Sequence, residues 1–280
     1  MDIRNEKNNV FNIKVAKLIG LYQLVNPNTV KFRGRNIYRI GFACILVYQG
    51  LVSVILALSC LYNWTVNIPI SIDFFWKSNN GFFVIYKVWI VICHSDDIWN
   101  CLSITRFGFT SFSDQYRHIL DHWRERLLWL TNIYGINIVM TIFLFVDITL
   151  ASSDNVSPVK NYDGSIGDYG QNVVNLYFIV SDETYNSHYY MFFLAEILFV
   201  FLWGLSLLMF DVLLVTLCFG VCCQMQIICC AFESAGHKPH RDTHPPNDMQ
   251  DENKKIPPNE HDSIYNELKK IIMEHQAVME

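Results

Sequence analysis

The chain has 280 residues, of which 52% are hydrophobic, 15% aromatic and 17% charged, with a formal net charge of −5 at pH 7. Soluble domains carry about 25% charged residues, and several apolar runs here are long enough to cross a bilayer. The composition excludes an ordinary soluble protein and indicates an integral membrane protein of the all-α class.

The chain opens with a basic arm at residues 1–39, which holds eight lysines and arginines. Its apolar residues recur at the spacing of one helical face until Pro27 ends the pattern: Phe11, Val15, Leu18, Ile19 and Tyr22. Such a helix either lies in the membrane interface against anionic headgroups or packs on the protein's own spans. The start shows no cleavable signal peptide, so we expect the first span to direct insertion.

Two spans are predicted next. Residues 40–61 contain no charged side chain and predict the first crossing. Residues 74–93 predict a weaker second crossing, because Lys77 and Lys87 would be costly near the middle of the membrane. The short segment between the two spans has no lysine or arginine and contains a glycosylation sequon at Asn63.

The middle of the chain alternates polar and apolar stretches. Residues 94–129 predict a cytoplasmic loop whose second half is a helical extension of the third span, residues 130–150. Residues 151–189 predict an extracellular loop with one base, five acids and a second sequon at Asn155.

Residues 190–230 form the longest apolar run, with Glu196 and Asp211 as its only charged side chains. About 20 helical residues cross a bilayer. The run therefore predicts either one span with a cytoplasmic extension or a hairpin that turns near Gly204, and the single helix is favoured.

The basic residues predict the sidedness of the spans. The N-terminal arm, the loop at 94–129 and the tail from residue 231 carry 8, 4 and 6 lysines and arginines, against 0 and 1 in the two intervening loops. Positive charge collects on the cytoplasmic side, which predicts four spans with a cytoplasmic N-terminus. Residues 231–262 predict a disordered cytoplasmic linker, and residues 263–280 an amphipathic helix that looks cut off because it reaches the end of the sequence without a C-cap.

No catalytic or metal-binding motif stands out. The cysteines do not predict a disulfide framework, and the group from Cys218 to Cys230 would be spread around one helix rather than converge on a metal. The sequence predicts no enzyme activity, no cofactor, no metal and no nucleic-acid partner.

Taken together, these features resemble the insect odorant receptor family. The resemblance rests on KLIGLYQ before Pro27, the inverted topology, the base-poor second outer loop, the fourth span extended into CFGVCCQMQIICCAFES, and the closing YNELKKIIMEHQAVME. It implies an odorant-gated, non-selective cation channel subunit in the plasma membrane of olfactory sensory neurons, in a hetero-tetramer with a shared co-receptor. That family has seven spans and a pore lined by the seventh, so the resemblance predicts that these residues are the four-span portion of an incomplete form.

The resemblance also implies a pocket for a small, apolar, volatile ligand in the outer half of the membrane. Matched by depth alone, the predicted ligand-binding residues are Phe82, Phe83, Tyr86, Trp89, Phe143, Asp147, Phe192, Glu196 and Phe199. Aromatic residues in a span also serve helix packing or lipid contact, and this alternative stays open for each of them.

Charge inside the membrane is costly unless it is paired. Lys87 and Asp211 lie at similar predicted depths, which suggests an interspan ion pair, with separate contacts to water as the alternative. Two other functions also remain open: a gustatory receptor of the same superfamily, and a tetraspanin-like four-span adaptor, although residues 151–189 lack the cysteine pair that tetraspanins carry.

Overall fold

The computed structural model describes residues 8–151, 156–160, 164–177, 180–234 and 258–279. Within these ranges it contains nine α-helices and two short antiparallel hairpins. The predicted all-α membrane bundle is confirmed at this level. The chain divides into two compact units: Met1–Asn12, Cys101–Leu128 and Val215–Glu280 form one, and Ile13–Asn100 and Trp129–Leu214 form the other.

The N-terminal arm contains two short helices and a hairpin. Helices α1 (Ile13–Leu18) and α2 (Leu21–Val25) are separated by Gly20, which has a left-handed φ of 80°. Strands β1 (Lys31–Phe32) and β2 (Arg35–Asn36) pair through a two-residue turn. The predicted amphipathic helix is therefore broken in two, because the backbone turns at Gly20.

Helices α3 (Ile37–Asn63) and α4 (Ile68–Cys93) are long and pack closely. A Cβ atom added at Gly81 would lie 2.2 Å from Ser53 Oγ, and Ser78 Oγ donates to the Ser53 carbonyl at 2.8 Å. Small residues at a helix crossing allow such an approach in membrane proteins. Helix α4 starts six residues before the predicted span, because Asn67 caps it and accepts from the Ile70 N–H.

The next segment consists of α5 (Ser95–Cys101), a 3₁₀ turn (Leu102–Thr105) and the 35-residue helix α6 (Arg117–Ala151). Helix α6 joins the predicted cytoplasmic extension and the predicted third span without interruption. Residues 151–189, predicted to form an extracellular loop, contain β3 (Val156–Lys160), β4 (Ile166–Gly170) and α7 (Asp182–Ser187).

Helix α8 (Tyr189–Ser234) has 46 residues and continues through Gly204 without a turn. At 1.5 Å per residue it is about 69 Å long, more than twice the hydrocarbon thickness of a bilayer. The hairpin alternative therefore does not form. Helix α9 (Pro258–Met279) ends the described part of the chain.

Three of the described helices are long and apolar enough to cross a membrane: α3, α6 and α8. Helix α4 does not meet that composition, and its crossing of the membrane stays a prediction. The first unit has its own core, in which the buried Gln224 side chain donates to the Ile104 carbonyl at 2.9 Å and Ile271 of α9 is fully buried.

Candidate ligand-binding site

The N-terminal part of α8 holds the segment that follows β4. Glu196 is 0% exposed, and its carboxylate accepts the N–H groups of Val174 at 2.6 Å, Asn175 at 2.9 Å and Leu176 at 3.0 Å. The Tyr185 hydroxyl donates to it at 3.2 Å. A buried carboxylate is tolerated only when it is fully hydrogen-bonded. Glu196 supplies the acceptors for the N–H groups of the turn at residues 174–176, and the turn supplies the donors for the carboxylate.

A tyrosine cluster covers this turn. The rings of Tyr169, Tyr177 and Tyr185 are buried, with centroids 4.8 to 5.6 Å apart. Asn172 donates to the Tyr185 hydroxyl at 2.9 Å. Burial, and then the negative charge of Glu196, raise the pKa of both Tyr177 and Tyr185 above the usual phenol value, so both hydroxyls are neutral donors at physiological pH.

A cavity of about 210 Å³ lies between this turn and helices α4, α6 and α8. It is lined by Asp73, Trp76, Lys77, Asn80, Phe145, Val173, Val174, Phe199, Val200 and Trp203. Most of its wall is aliphatic or aromatic, and the polar groups lie on α4. Asp73 Oδ2 and Lys77 Nζ form an ion pair at 2.7 Å, one helical turn apart.

The polar edge of the cavity has a simple helical origin. Asp73, Trp76, Lys77 and Asn80 follow the i, i+3, i+4, i+7 spacing that places side chains on one face of a helix. The Asp73–Lys77 pair partly neutralises its own charge there. This face can therefore offer hydrogen bonds to a ligand without an isolated charge.

A second polar group joins three helices at Asp211. Lys87 Nζ of α4 lies 3.3 Å from Asp211 Oδ1 of α8, and the Tyr134 hydroxyl of α6 donates to the same carboxylate. Lys87 Nζ also lies 4.8 Å from the ring centroids of Phe83 and Phe210. The structure brings Lys87 and Asp211 together, and the aromatic rings shield the lysine by cation–π contact.

The family model described as 7tm Odorant receptor matches residues 78–280, more than half of the chain. The chain belongs to the odorant receptor family. No curated protein matches it. The match begins inside α4, so it includes α6, α8 and α9, while the N-terminal arm and α3 of this odorant receptor lie outside it.

Only some of the predicted ligand-binding residues lie near the cavity. Phe199 lines it. Phe192 stacks on Tyr185, with ring centroids 4.6 Å apart, and Glu196 holds the turn from behind, so both support the wall rather than form it. Six of the predicted residues are exposed elsewhere on α4 and α6: Phe82, Phe83, Tyr86, Trp89, Phe143 and Asp147.

Several cavity residues of the odorant receptor were missed by sequence reasoning, which assigned residues by depth and not by helix face. The helical spacing of Asp73, Trp76, Lys77 and Asn80 could have identified the α4 face. The sequence pattern could not identify Val173 and Val174, because tertiary contacts such as the bond from the Val174 N–H to Glu196 bring that turn to the cavity.

Of the two predicted glycosylation sites, the structure describes Asn63 but not Asn155. Asn63 is 1% exposed; its amide nitrogen donates to the Ser59 carbonyl at 3.0 Å, and its oxygen accepts the Lys160 N–H at 2.9 Å. As folded, Asn63 does not present the nitrogen to which a glycan attaches. Asn155 lies outside the described residues and stays a prediction.

Proposed function

We propose that this odorant receptor chain binds a small, mainly apolar volatile compound in the cavity between α4, α6 and α8. The observation that carries the proposal is the cavity itself, with about 210 Å³ of space lined mainly by aromatic and aliphatic side chains. Sites for drug-sized ligands are about 300–1,000 Å³, so this volume favours a smaller molecule.

The apolar wall of the cavity supplies binding affinity, and the polar face of α4 orients the ligand. Burial against Phe145, Phe199 and Trp203 contributes roughly 25 cal/mol for each Å² of apolar ligand surface. Hydrogen bonds from the α4 face orient a ligand that carries one oxygen, because a polar ligand group buried without a partner would weaken binding. The preferred ligand is then a compact alcohol, ketone or ester.

Ligand binding can be measured on the purified chain in nanodiscs through the fluorescence of Trp76 and Trp203, which line the cavity. A size-matched panel of hydrocarbons, alcohols, ketones and esters serves as the probe. Phe199→Ala enlarges the cavity and is expected to change the ranking of the ligands. Phe201→Ala removes an exposed ring two residues away on the same helix and is the matched control.

The same assay separates two locations for the pocket. Tyr86 lies on the exposed aromatic face of α4 together with Phe82, Phe83 and Trp89. A changed ranking in Tyr86→Ala and an unchanged one in Phe199→Ala would move the proposed site to that face. Equal rankings in all three variants and the unmodified chain would contradict a ligand site at either place.

We further propose that the chain acts as a subunit of an odorant-gated, non-selective cation channel in the plasma membrane of olfactory neurons, in a hetero-tetramer with a co-receptor. Family membership supports this role. The resemblance implies a pore lined by a seventh span, and we propose that conduction requires that span. Mapping the 3′ end of the transcript tests whether such a form is encoded, and currents on co-expression with the co-receptor test the role itself.

A further inference from the structure

A second, larger cavity of about 940 Å³ lies where the N-terminal arm meets the first turns of α3. One side is basic, with Lys31, Arg35 and Arg39. The other side is mostly apolar and follows α3 and the end of α4: Ile40, Ala43, Cys44, Val47 and Ile92. It is separate from the candidate ligand cavity and shares no residue with it.

The basic side is held in place by the hairpin and by the cap of α3. The turn between β1 and β2 needs a positive φ at both positions, and Arg33 and Gly34 have φ of 50° and 80°. The Asn36 side chain donates to the Gln23 carbonyl at 2.8 Å and accepts the Tyr38 N–H at 2.9 Å. These contacts fix the backbone that carries Lys31 and Arg35 beside the start of α3.

The charges of this cavity do not cancel. Arg39 Nη2 pairs with Asp96 Oδ1 at 2.6 Å. Among the described residues, Lys31 and Arg35 have no acidic partner within ion-pair distance. The lining therefore keeps two uncompensated positive charges, and a complementary occupant is an anion.

The apolar side distinguishes a lipid from a small soluble anion. Ile40, Ala43 and Val47 lie at i, i+3 and i+7 of α3 and extend about 10 Å along its axis. Val47 is 65% exposed. A phosphate group alone would leave this wall and most of the volume uncovered, whereas an acyl chain would cover the wall.

We propose that this cavity binds an anionic phospholipid. The phosphate headgroup lies against Lys31 and Arg35, and the part of an acyl chain nearest to the headgroup lies along the α3 wall. The inference does not depend on odorant binding or on channel activity. Lipid binding would give the N-terminal arm a function of its own, which is to anchor the start of α3 in one leaflet of the membrane.

The test is a lipid titration of the purified full chain in an uncharged detergent, followed by native mass spectrometry. Phosphatidylglycerol and phosphatidylcholine with the same acyl chains are the two lipid probes. Each basic residue near an anionic headgroup contributes about a factor of five to affinity. Phosphatidylglycerol is therefore expected to bind at least tenfold more tightly, and Lys31→Gln with Arg35→Gln to remove most of that preference.

Matched variants separate a built site from general charge attraction. Lys14→Gln with Lys17→Gln removes the same charge from α1, outside the cavity, and is expected to keep the preference. Ala43→Trp fills the apolar side and is expected to weaken both lipids. Circular dichroism verifies folding. If the double variant fails to fold, Lys31→Gln and Arg35→Gln are used singly, each with a loss of roughly fivefold expected.

Four results would overturn the proposal. Equal binding of the two lipids would show no anion selectivity, and equal losses in the cavity and α1 variants would show attraction without a site. Displacement of the lipid by soluble glycerophosphoglycerol at the same concentration would assign the cavity to a soluble phosphate instead. Insensitivity to Ala43→Trp would show that another segment or a partner covers the apolar wall.

Discussion

Glu196 is the residue whose role the structure defines most completely. Its carboxylate receives three backbone N–H groups and one hydroxyl, so it positions Val173 and Val174 at the cavity through the turn that it binds. A charge inside an apolar run suggests function from sequence alone. Its partners could not be predicted, because they lie about 20 residues away in a loop with no periodic pattern.

Replacing Glu196 tests this positioning role. Glu196→Leu leaves two buried N–H groups and one partly buried N–H group without an acceptor, and each buried group costs about 1–3 kcal/mol. We expect a clear fall in the thermal unfolding temperature and faster proteolysis between β4 and α7. Asp147→Leu removes an exposed carboxylate and is expected to change neither. Unchanged stability of Glu196→Leu would contradict the anchoring role.

The Lys87–Asp211 pair makes a separate prediction. Its side chains are 16% and 26% exposed, so reversing either charge leaves two like charges in a mainly buried position, at a cost of roughly 3 kcal/mol. Lys87→Asp and Asp211→Lys should each reduce surface expression, and the double exchange should restore it. An exchange that recovers nothing would indicate that the two side chains act independently.

The buried tyrosines predict a loss of stability at high pH. The folded-state pKa of Tyr177 and Tyr185 is raised above the usual value of 10.0. The contribution of these two tyrosines to the free energy of unfolding is therefore fully present below about pH 10. It is lost as the pH rises toward the folded-state pKa, because unfolding then releases a proton. The free energy of unfolding should fall by up to about 1.4 kcal/mol per pH unit for each phenol.

Alkaline unfolding curves check this expectation. Tyr177→Phe removes one titrating hydroxyl and should flatten the pH dependence above pH 10, whereas Tyr265→Phe, an exposed tyrosine on α9, should leave it unchanged. Curves with the same slope for both variants would exclude a buried phenol as the cause.

At the level of elements, the long apolar helices were predictable from the sequence, whereas β3, β4 and α7 were not. Residues 40–61 and 190–230 are contained in α3 and α8, because continuous apolar sequence in lipid has few alternatives to a helix. The β3–β4 hairpin and α7 depend on tertiary partners instead, such as the Asn186 side chain that accepts the Gly170 N–H at 3.0 Å.

The α3–α4 crossing makes the element-scale prediction. Gly81→Ala would place a Cβ 2.2 Å from Ser53 Oγ. Either the Ser53 hydroxyl leaves its hydrogen bond with the Gln49 carbonyl or the helices separate, so the unfolding temperature should fall. Gly50→Ala in α3 meets no atom within 4 Å and should be neutral or slightly stabilising. Adding Ser53→Ala to Gly81→Ala should recover part of the loss. Equal behaviour of the two glycine variants would contradict the close crossing.

At the scale of the whole molecule, the distribution of basic residues predicts that the two cavities face different leaflets. The basic cavity lies at the N-terminal end of α3, and the ligand cavity lies beside the turn after β4, near the start of α8. Lysines and arginines number 8 in residues 1–39 and 1 in residues 151–189. If positive charge stays on the cytoplasmic side, volatile ligands enter from outside while anionic lipid binds from the inner leaflet.

Epitope tags test this arrangement on intact cells. A tag ahead of Met1 and one in the 235–257 segment should bind antibody only after permeabilisation, since α3 and α8 then begin and end on the cytoplasmic side. A tag near Gly164, in the connection between β3 and β4, should bind without it and serves as the matched control. Binding to the N-terminal tag on intact cells would reverse the leaflets assigned to both cavities, although the contacts that form each cavity would remain the same.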